Sequence, residues 1–173
     1  MFDDEIRSKA EAVLDAARAR GVMLATAESC TGGLVAGALT AIAGSSDAVD
    51  GGFVTYSNAA KVQLGVPEAL LVSDGAVSER TARALARAAR EAALARAPKG
   101  AERVAVSVTG VAGPGGGSAE KPVGLVHFAI ADAAGTRHRV ARFGDVGRDE
   151  VRRRSILTAL DLLLESLAAP ITV

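Results

Sequence analysis

Two segments of this chain carry the side chains best suited to chemistry. Residues 26–33 read Thr-Ala-Glu-Ser-Cys-Thr-Gly-Gly, and residues 51–61 read Gly-Gly-Phe-Val-Thr-Tyr-Ser-Asn-Ala-Ala-Lys. The first places the Ser29 hydroxyl where an apolar run gives way to small residues, the pattern of a strand running into a helix. The second places Tyr56 and Lys61 at another such junction. A serine, a tyrosine and a lysine suffice for a hydrolase that uses neither a histidine base nor a metal. An unaided serine hydroxyl is a poor nucleophile and needs a base in contact with it. Lys61 is the candidate base, provided it is desolvated or set beside another cation, because a free lysine titrates near ~10.4 and is charged at neutral pH. A helix starting at about Thr31 would also aim unpaired N–H groups at Ser29, where they would stabilise an oxyanion.

Each residue has a plainer reading. Ser29 at a strand–helix junction serves equally as a helix N-cap. Lys61 taken alone reads as an exposed lysine early in a helix. Tyr56, the only tyrosine, either bridges Lys61 and Ser29, orients the amine, or simply packs at the sheet end. Cys30 is a rival nucleophile, although adjacent residues point in different directions and only one of the two can face a site. His127 and His138 lie in strand patterns without cysteine or clustered carboxylate partners, which argues against a metal site.

Two further segments suit an anion. Residues 109–118, Thr-Gly-Val-Ala-Gly-Pro-Gly-Gly-Gly-Ser, form a Gly-rich loop after an apolar strand, and glycines let backbone N–H groups approach an anion closely. The loop lacks the ending of a P-loop and the context of a dinucleotide fingerprint, so a mobile surface loop fits it as well. Arg148, Arg152, Arg153 and Arg154 cluster at the start of the last helix, where positive charge opposes the macrodipole. A bound phosphate would resolve that conflict; a solvated basic face is the commoner explanation.

The elements that must position these residues follow from periodicity. Residues 3–19 read as a helix ended by Gly21, 22–27 as a buried strand, and 31–43 as a small-residue helix broken at Gly44. Residues 53–57 read as a strand and 59–64 as a short helix closed by Gly65 and Pro67. Ser78 caps a long helix to about residue 97, and 104–108 is an apolar strand. Residues 123–132 and 137–143 pair around Ala133-Ala134-Gly135 as a hairpin. A helix over 150–167 closes the chain, with Val151, Leu157, Leu160, Leu164 and Leu167 on its core side. This order predicts an α/β fold, a single-domain α/β/α sandwich on a mixed β-sheet spanning 1–173. Ligands of such sheets sit at the carboxyl ends of strands, where Ser29, Tyr56 and the loop after Val108 all fall.

Bulk composition narrows the function classes. The 173 residues include 20 basic and 20 acidic side chains, for zero net charge, with no Trp. Nucleic-acid binding is disfavoured by both facts. One cysteine allows no internal disulfide. The acidic start, Met1-Phe2-Asp3-Asp4-Glu5, is unlike a signal peptide, and no apolar run reaches membrane-spanning length. The expectation is a soluble cytoplasmic protein with a small-molecule substrate, no cofactor, no metal, no nucleic acid and no membrane partner. The Ala-rich helix over 78–97 is compatible with packing inside one chain or against a second copy, so a homo-oligomer stays open.

Several of these motifs together carry a resemblance. Residues 26–33, Ala43-Gly44-Ser45-Ser46, Gly52-Phe53-Val54-Thr55-Tyr56-Ser57-Asn58 with Lys61, Gly75-Ala76-Val77-Ser78, residues 108–114 and Glu120-Lys121-Pro122-Val123-Gly124 resemble, in order, the CinA C-terminal domain family of nicotinamide-nucleotide amidohydrolases. The likeness runs from about residue 5 to 167. Larger members carry an additional N-terminal pyrophosphatase-type domain, of which nothing is expected here. The resemblance implies hydrolysis of the carboxamide of nicotinamide mononucleotide to nicotinate mononucleotide and ammonia, in pyridine nucleotide salvage. It implies Ser29 as nucleophile, Lys61 as base and Tyr56 in support, with Cys30, Thr31, Gly32, Gly33, Thr109, Gly110, Gly113, Gly115 and Arg148 around the substrate. One departure is visible: the family's Gly-Asp-Arg reads here Gly144-Asp145-Val146-Gly147-Arg148, as if two residues were inserted. A nucleotide-binding partner module without turnover is the alternative class.

Overall fold

The computed structural model describes residues 2–168. Its elements are α1 (Asp4–Arg20), β1 (Val22–Glu28), α2 (Leu34–Thr40), a 3-10 turn (Ser45–Asp47), β2 (Val49–Val54), α3 (Asn58–Leu64), α4 (Glu68–Ser73), α5 (Glu79–Ala95), β3 (Glu102–Gly110), β4 (Leu125–Asp132), β5 (Gly135–Arg142) and α6 (Arg148–Ala168). The five strands form one sheet in the order β2-β1-β3-β4-β5. β1 pairs in parallel with β2 and β3, whereas β3–β4 and β4–β5 are antiparallel. The fold is therefore the mixed α/β/α sandwich that the alternating pattern implies.

Strand alternation divides the sheet into two faces. Val22 and Leu24 of β1, Val104, Val106 and Val108 of β3, and Val126, Phe128 and Ile130 of β4 pack against α1, α2 and α6. The other face is nearly all alanine. Ala25, Ala27 and Ala105 meet Leu85 and Ala89 of α5 and Leu70 and Leu71 of α4, while Ala129 and Ala131 meet Ala82 and Ala86. Small side chains on both partners let α5 lie close to the sheet. Asp3 caps α1 through a bond accepted from the Ile6 N–H at 3.0 Å, and Ser78 caps α5 by accepting from the Thr81 N–H at 3.1 Å. Each such cap contributes about 1 kcal/mol.

Several boundaries differ from the sequence reading. The strand expected at 53–57 runs instead over Val49–Val54. Thr55 turns its N–H to the Glu28 carbonyl (2.8 Å), and Ser57 leaves the sheet to cap α3, accepting from the Ala60 N–H at 3.1 Å. The helix expected over 31–43 is shortened to Leu34–Thr40, because Gly32 and Gly33 adopt left-handed φ of 62° and 93°. Helix α4, just after Pro67, was not expected at all. β3 extends through Thr109 and Gly110. β4 begins at Leu125 rather than 123, after a turn in which the Leu125 N–H donates to the Pro122 carbonyl at 3.1 Å. On α6, Leu157 and Leu164 are only partly buried, and the innermost side chains include Val151, Ile156, Ala159, Leu160 and Leu163.

Candidate active site

β1 and β2 are parallel neighbours, so the segments leaving their carboxyl ends emerge side by side. Ser29 follows β1, and its N–H is held by the Val108 carbonyl of β3 at 2.9 Å. Lys61 lies on α3, which follows β2. The two side chains meet: Lys61 Nζ is 3.1 Å from Ser29 Oγ and donates to the Thr55 carbonyl at 2.7 Å. Lys61 is 1% exposed, so the reading of an ordinary surface lysine is overturned. Among the described residues no carboxylate pairs with it. Burial therefore dominates its ionisation and pushes the amine below the ordinary lysine value, with a smaller opposing influence from Cys30. A buried lysine with a lowered ionisation in contact with a serine hydroxyl has the proximity that proton transfer between them requires.

Ser29 is not the N-cap of α2. Gly33 occupies that position, and the cap is supplied from the strand by Glu28, whose carboxylate accepts from the N–H groups of Gly33 (3.1 Å), Val35 (3.0 Å) and Ala36 (2.8 Å). The first donors of the helix are consequently not free to serve Ser29, contrary to the expectation from sequence. Sequence reasoning passed over Glu28. The signal for it is an acid ending a buried run, two positions after Thr26 and ahead of a helix start that lacks Ser, Thr, Asp or Asn in the cap position.

Cys30 is buried, and its thiol is pushed up to about 12, first by desolvation. It stays protonated at neutral pH and is a poor nucleophile. Thr31 is fully buried; its carbonyl accepts from Arg152 Nη2 at 3.2 Å and its hydroxyl has no partner among the described residues. Tyr56 does not bridge Lys61 and Ser29. It is 59% exposed, and its hydroxyl accepts from Arg148 Nη2 at 3.0 Å. Because residues 55–57 have left the strand, β alternation no longer aims the ring at the sheet end.

Arg148 reaches this region from the first turn of α6. Its Nη1 donates to the Gly113 carbonyl at 2.9 Å while Nη2 holds Tyr56, so one guanidinium spans from the Gly-rich loop to the end of β2. Arg153 is neutralised by Asp3 and Glu5, and Arg154 by Glu150. Arg148 and Arg152 form no ion pair among the described residues. Both line a cleft of about 600 Å³ whose walls also include Phe2 and Leu34 and the carboxylates of Asp3, Asp149 and Glu150. Ser29 and Lys61 are not among its lining residues.

The remaining residues implied around the substrate divide in two. Thr109 and Gly110 lie within β3 rather than in the loop. Thr109 Oγ1 donates to the Ala76 carbonyl at 2.7 Å, and a Cβ on Gly110 would sit 2.6 Å from the Leu125 carbonyl oxygen. Both serve the scaffold in this arrangement. Gly113 touches Arg148, and Gly115 is exposed with open space around it. Lys121 anchors the far end of the loop by donating to the Asp74 carbonyl at 2.6 Å.

Away from this site, His127 Nδ1 and His138 Nε2 lie 2.9 Å apart, and His138 Nδ1 is 3.5 Å from Glu79. Among the described residues no group of three or more His, Cys, Asp and Glu is arranged to hold a metal, and no helix is long and apolar enough to cross a membrane.

Comparison with known proteins gives a consistent picture. A family model described as the CinA C-terminal domain matches residues 6–167. A CinA-like protein of Anaeromyxobacter dehalogenans is 53% identical over 146 residues, covering 84% of this chain and 34% of its own length. The chain thus spans about a third of the length of such CinA-like relatives. The nicotinamide-nucleotide amidohydrolase PncC of Escherichia coli is 49% identical over 166 residues, covering 94% of this chain and 95% of its own. The crystal structure of the competence/damage inducible protein CihA from Agrobacterium tumefaciens superposes with a TM-score of 0.89 at 49% identity, over 98% of this chain and 99% of that one.

Proposed function

This chain belongs to the CinA C-terminal domain family, and from that premise we propose that it hydrolyses the carboxamide of nicotinamide mononucleotide. The products are nicotinate mononucleotide and ammonia, a step of pyridine nucleotide salvage. The observation that carries the reading is the 3.1 Å contact between the buried Lys61 amine and the Ser29 hydroxyl. The nearly full-length likeness to an amidohydrolase supplies the substrate class.

The neutral Lys61 amine takes the proton of Ser29 Oγ as that oxygen attacks the carboxamide carbon. The tetrahedral intermediate collapses when Lys61 returns the proton to the departing nitrogen, and ammonia leaves an ester on Ser29. Water then attacks the ester, Lys61 accepts its proton, and nicotinate mononucleotide departs as Ser29 is restored. Thr55 holds the amine through its carbonyl and fixes its approach to Ser29. Arg148 and Arg152, donating only to neutral oxygens, supply positive charge for the substrate phosphate at the cleft they line. Cleft volumes of about 300–1,000 Å³ suit ligands of this size.

Ammonia release from nicotinamide mononucleotide by the purified protein tests this. We expect turnover by wild type and none above background by Ser29→Ala. Binding of the mononucleotide without ammonia release would instead favour a nucleotide-binding module.

A further inference from the structure

The alternation of β1 sends Thr26 and Glu28 to the α2 face, where Leu24 also lies, and sends the next residue, Ser29, toward Lys61. Glu28 is 1% exposed, and its two oxygens accept four hydrogen bonds. Oε1 takes the Thr26 hydroxyl at 3.1 Å and the Ala36 N–H at 2.8 Å; Oε2 takes the N–H groups of Gly33 and Val35. A buried carboxylate so fully engaged holds the backbone around it in place. It acts as a clamp.

A backbone account shows what the clamp leaves over. The N–H of Ser29 goes to Val108, that of Gly32 to Ser29, that of Leu34 to Thr31 and that of Gly37 to Gly33. Those of Gly33, Val35 and Ala36 go to Glu28. Between Ser29 and Gly37, the N–H groups of Cys30 and Thr31 alone donate to no oxygen among the described residues, the Cys30 N–H having only its own thiol beside it. They are the two amides that directly follow the nucleophile.

We propose that Glu28 is a positioning residue for the hydrolysis: by taking the first donors of α2 it fixes the 29–33 loop so that the Cys30 and Thr31 N–H groups form the oxyanion hole of Ser29. The proposal rests on the amidohydrolase reading for its substrate, but not for its test. A fluorophosphonate probe forms an Oγ–P bond at Ser29, expels fluoride, and passes the serine proton through Lys61 to solvent. Its phosphoryl oxygen draws on the same donors as a carbonyl would.

Glu28→Gln keeps the size of the side chain but turns an NH₂ toward backbone N–H groups. A displacement of the loop on the ångström scale costs up to about 100-fold. The variant should lose about 10- to 100-fold in kcat on nicotinamide mononucleotide and in the rate of Ser29 labelling, measured by mass. KM should stay within about threefold, and the pH midpoint set by Lys61 should not move, a split that general loosening of the fold would not give. Thr26→Val removes one donor to Oε1 in a β-favourable shape and should lower both rates about two- to fivefold. Wild-type rates in Glu28→Gln overturn the proposal, as does a loss explained by its unfolded fraction. If Glu28→Gln fails to fold, Thr26→Val decides: reduced rates at intact KM uphold the role, and unchanged rates remove it. A wild type that takes the probe but leaves the mononucleotide intact would overturn the substrate reading alone, with Glu28 still judged by labelling. A wild type that does neither overturns both.

Discussion

Replacing Lys61 with methionine should abolish catalysis without harming the fold, and the pH dependence of both effects should trace one proton. Methionine is unbranched and of similar length, so it fills the space of a side chain that is 1% exposed. Loss of the base in contact with Ser29 should cost at least about 10³-fold in kcat/KM, or roughly 4 kcal/mol of transition-state stabilisation. Two terms oppose each other in stability. The Thr55 carbonyl loses its donor, which costs about 1–3 kcal/mol. Against this, the variant no longer buries an ammonium without a carboxylate partner, a burden of several kcal/mol.

The sign of the pH dependence follows from burial. The folded-state ionisation of Lys61 lies below its ordinary 10.5, so the unfolded chain binds more protons between the two values. Wild-type stability therefore rises with pH across that window, by at most about 1.4 kcal/mol per pH unit. The methionine variant lacks this rise. Its advantage is greatest below the window and disappears as pH approaches 10.5. Wild-type kcat/KM should climb through the same lowered ionisation, because only the neutral amine accepts the serine proton. Urea unfolding of both proteins at a series of pH values, set beside a pH–rate profile, makes the comparison. A stability difference independent of pH, or an active Lys61→Arg variant, would refute the reasoning, since a guanidinium stays protonated.

Ser29→Ala should lose at least about 10³-fold in ammonia release, whereas Cys30→Ala, at a buried thiol held protonated near 12, should keep activity within severalfold; the reverse pattern would exchange the two roles. Nicotinamide riboside, which lacks the phosphate expected at Arg148 and Arg152, should show kcat/KM lower by about 100-fold, and equal values for the two substrates would remove the phosphate assignment. The His127–His138 pair should make the fold acid-sensitive. Burial, then the charge of His138, lowers His127 to about 4, and burial lowers His138 as well. Both folded values lie below the ordinary 6.5, so the stability present above 6.5 is lost as pH falls toward 4. Partial exposure, screening and the nearby carboxylate of Glu79, which favours the charged rings, limit this to about 1–2 kcal/mol, with Arg83, Lys121 and Arg142 acting in the opposite sense. His127→Gln should flatten the dependence in thermal melts between pH 7 and 4.

Most helices were legible because their apolar residues repeat with a clear period, and β3 because Val104 to Val108 is an unbroken apolar run but for Ser107; the division of the sheet into two faces emerged only with the packing. Boundaries near the site were not legible, since they are set by contacts distant in sequence. Thr55 leaves the strand to meet the Glu28 carbonyl, and no local pattern announces that. Ser29 and Lys61 were both visible as candidates, but the burial that distinguishes Lys61 from a surface lysine arises only when β2 docks beside β1. None of the readings open for Tyr56 included Arg148, for the same reason: once the residue is out of the strand, its hydroxyl meets that guanidinium. Glu28 stood inside the quoted motif and drew no attention, because an acid beside a serine reads as polar loop until the N–H groups it accepts are located.

The four arginines at the start of α6 show how structure divides a cluster that sequence leaves whole. Positive charge at a helix N-terminus is unfavourable, and a solvated basic face would leave all four alike. They are not alike. Arg153 and Arg154 are matched by Asp3, Glu5 and Glu150, an arrangement that cancels their charge locally. Arg148 and Arg152 point at a phenol oxygen and at backbone carbonyls, partners that satisfy geometry without cancelling charge. An anion entering the cleft can therefore draw on both guanidiniums without breaking an ion pair. Gly147 sets the start of α6 that carries Arg148: it takes a φ of 90°, and its carbonyl accepts the Val151 N–H at 3.0 Å as the helix begins. From that helix start the guanidinium joins the Gly-rich loop to Tyr56.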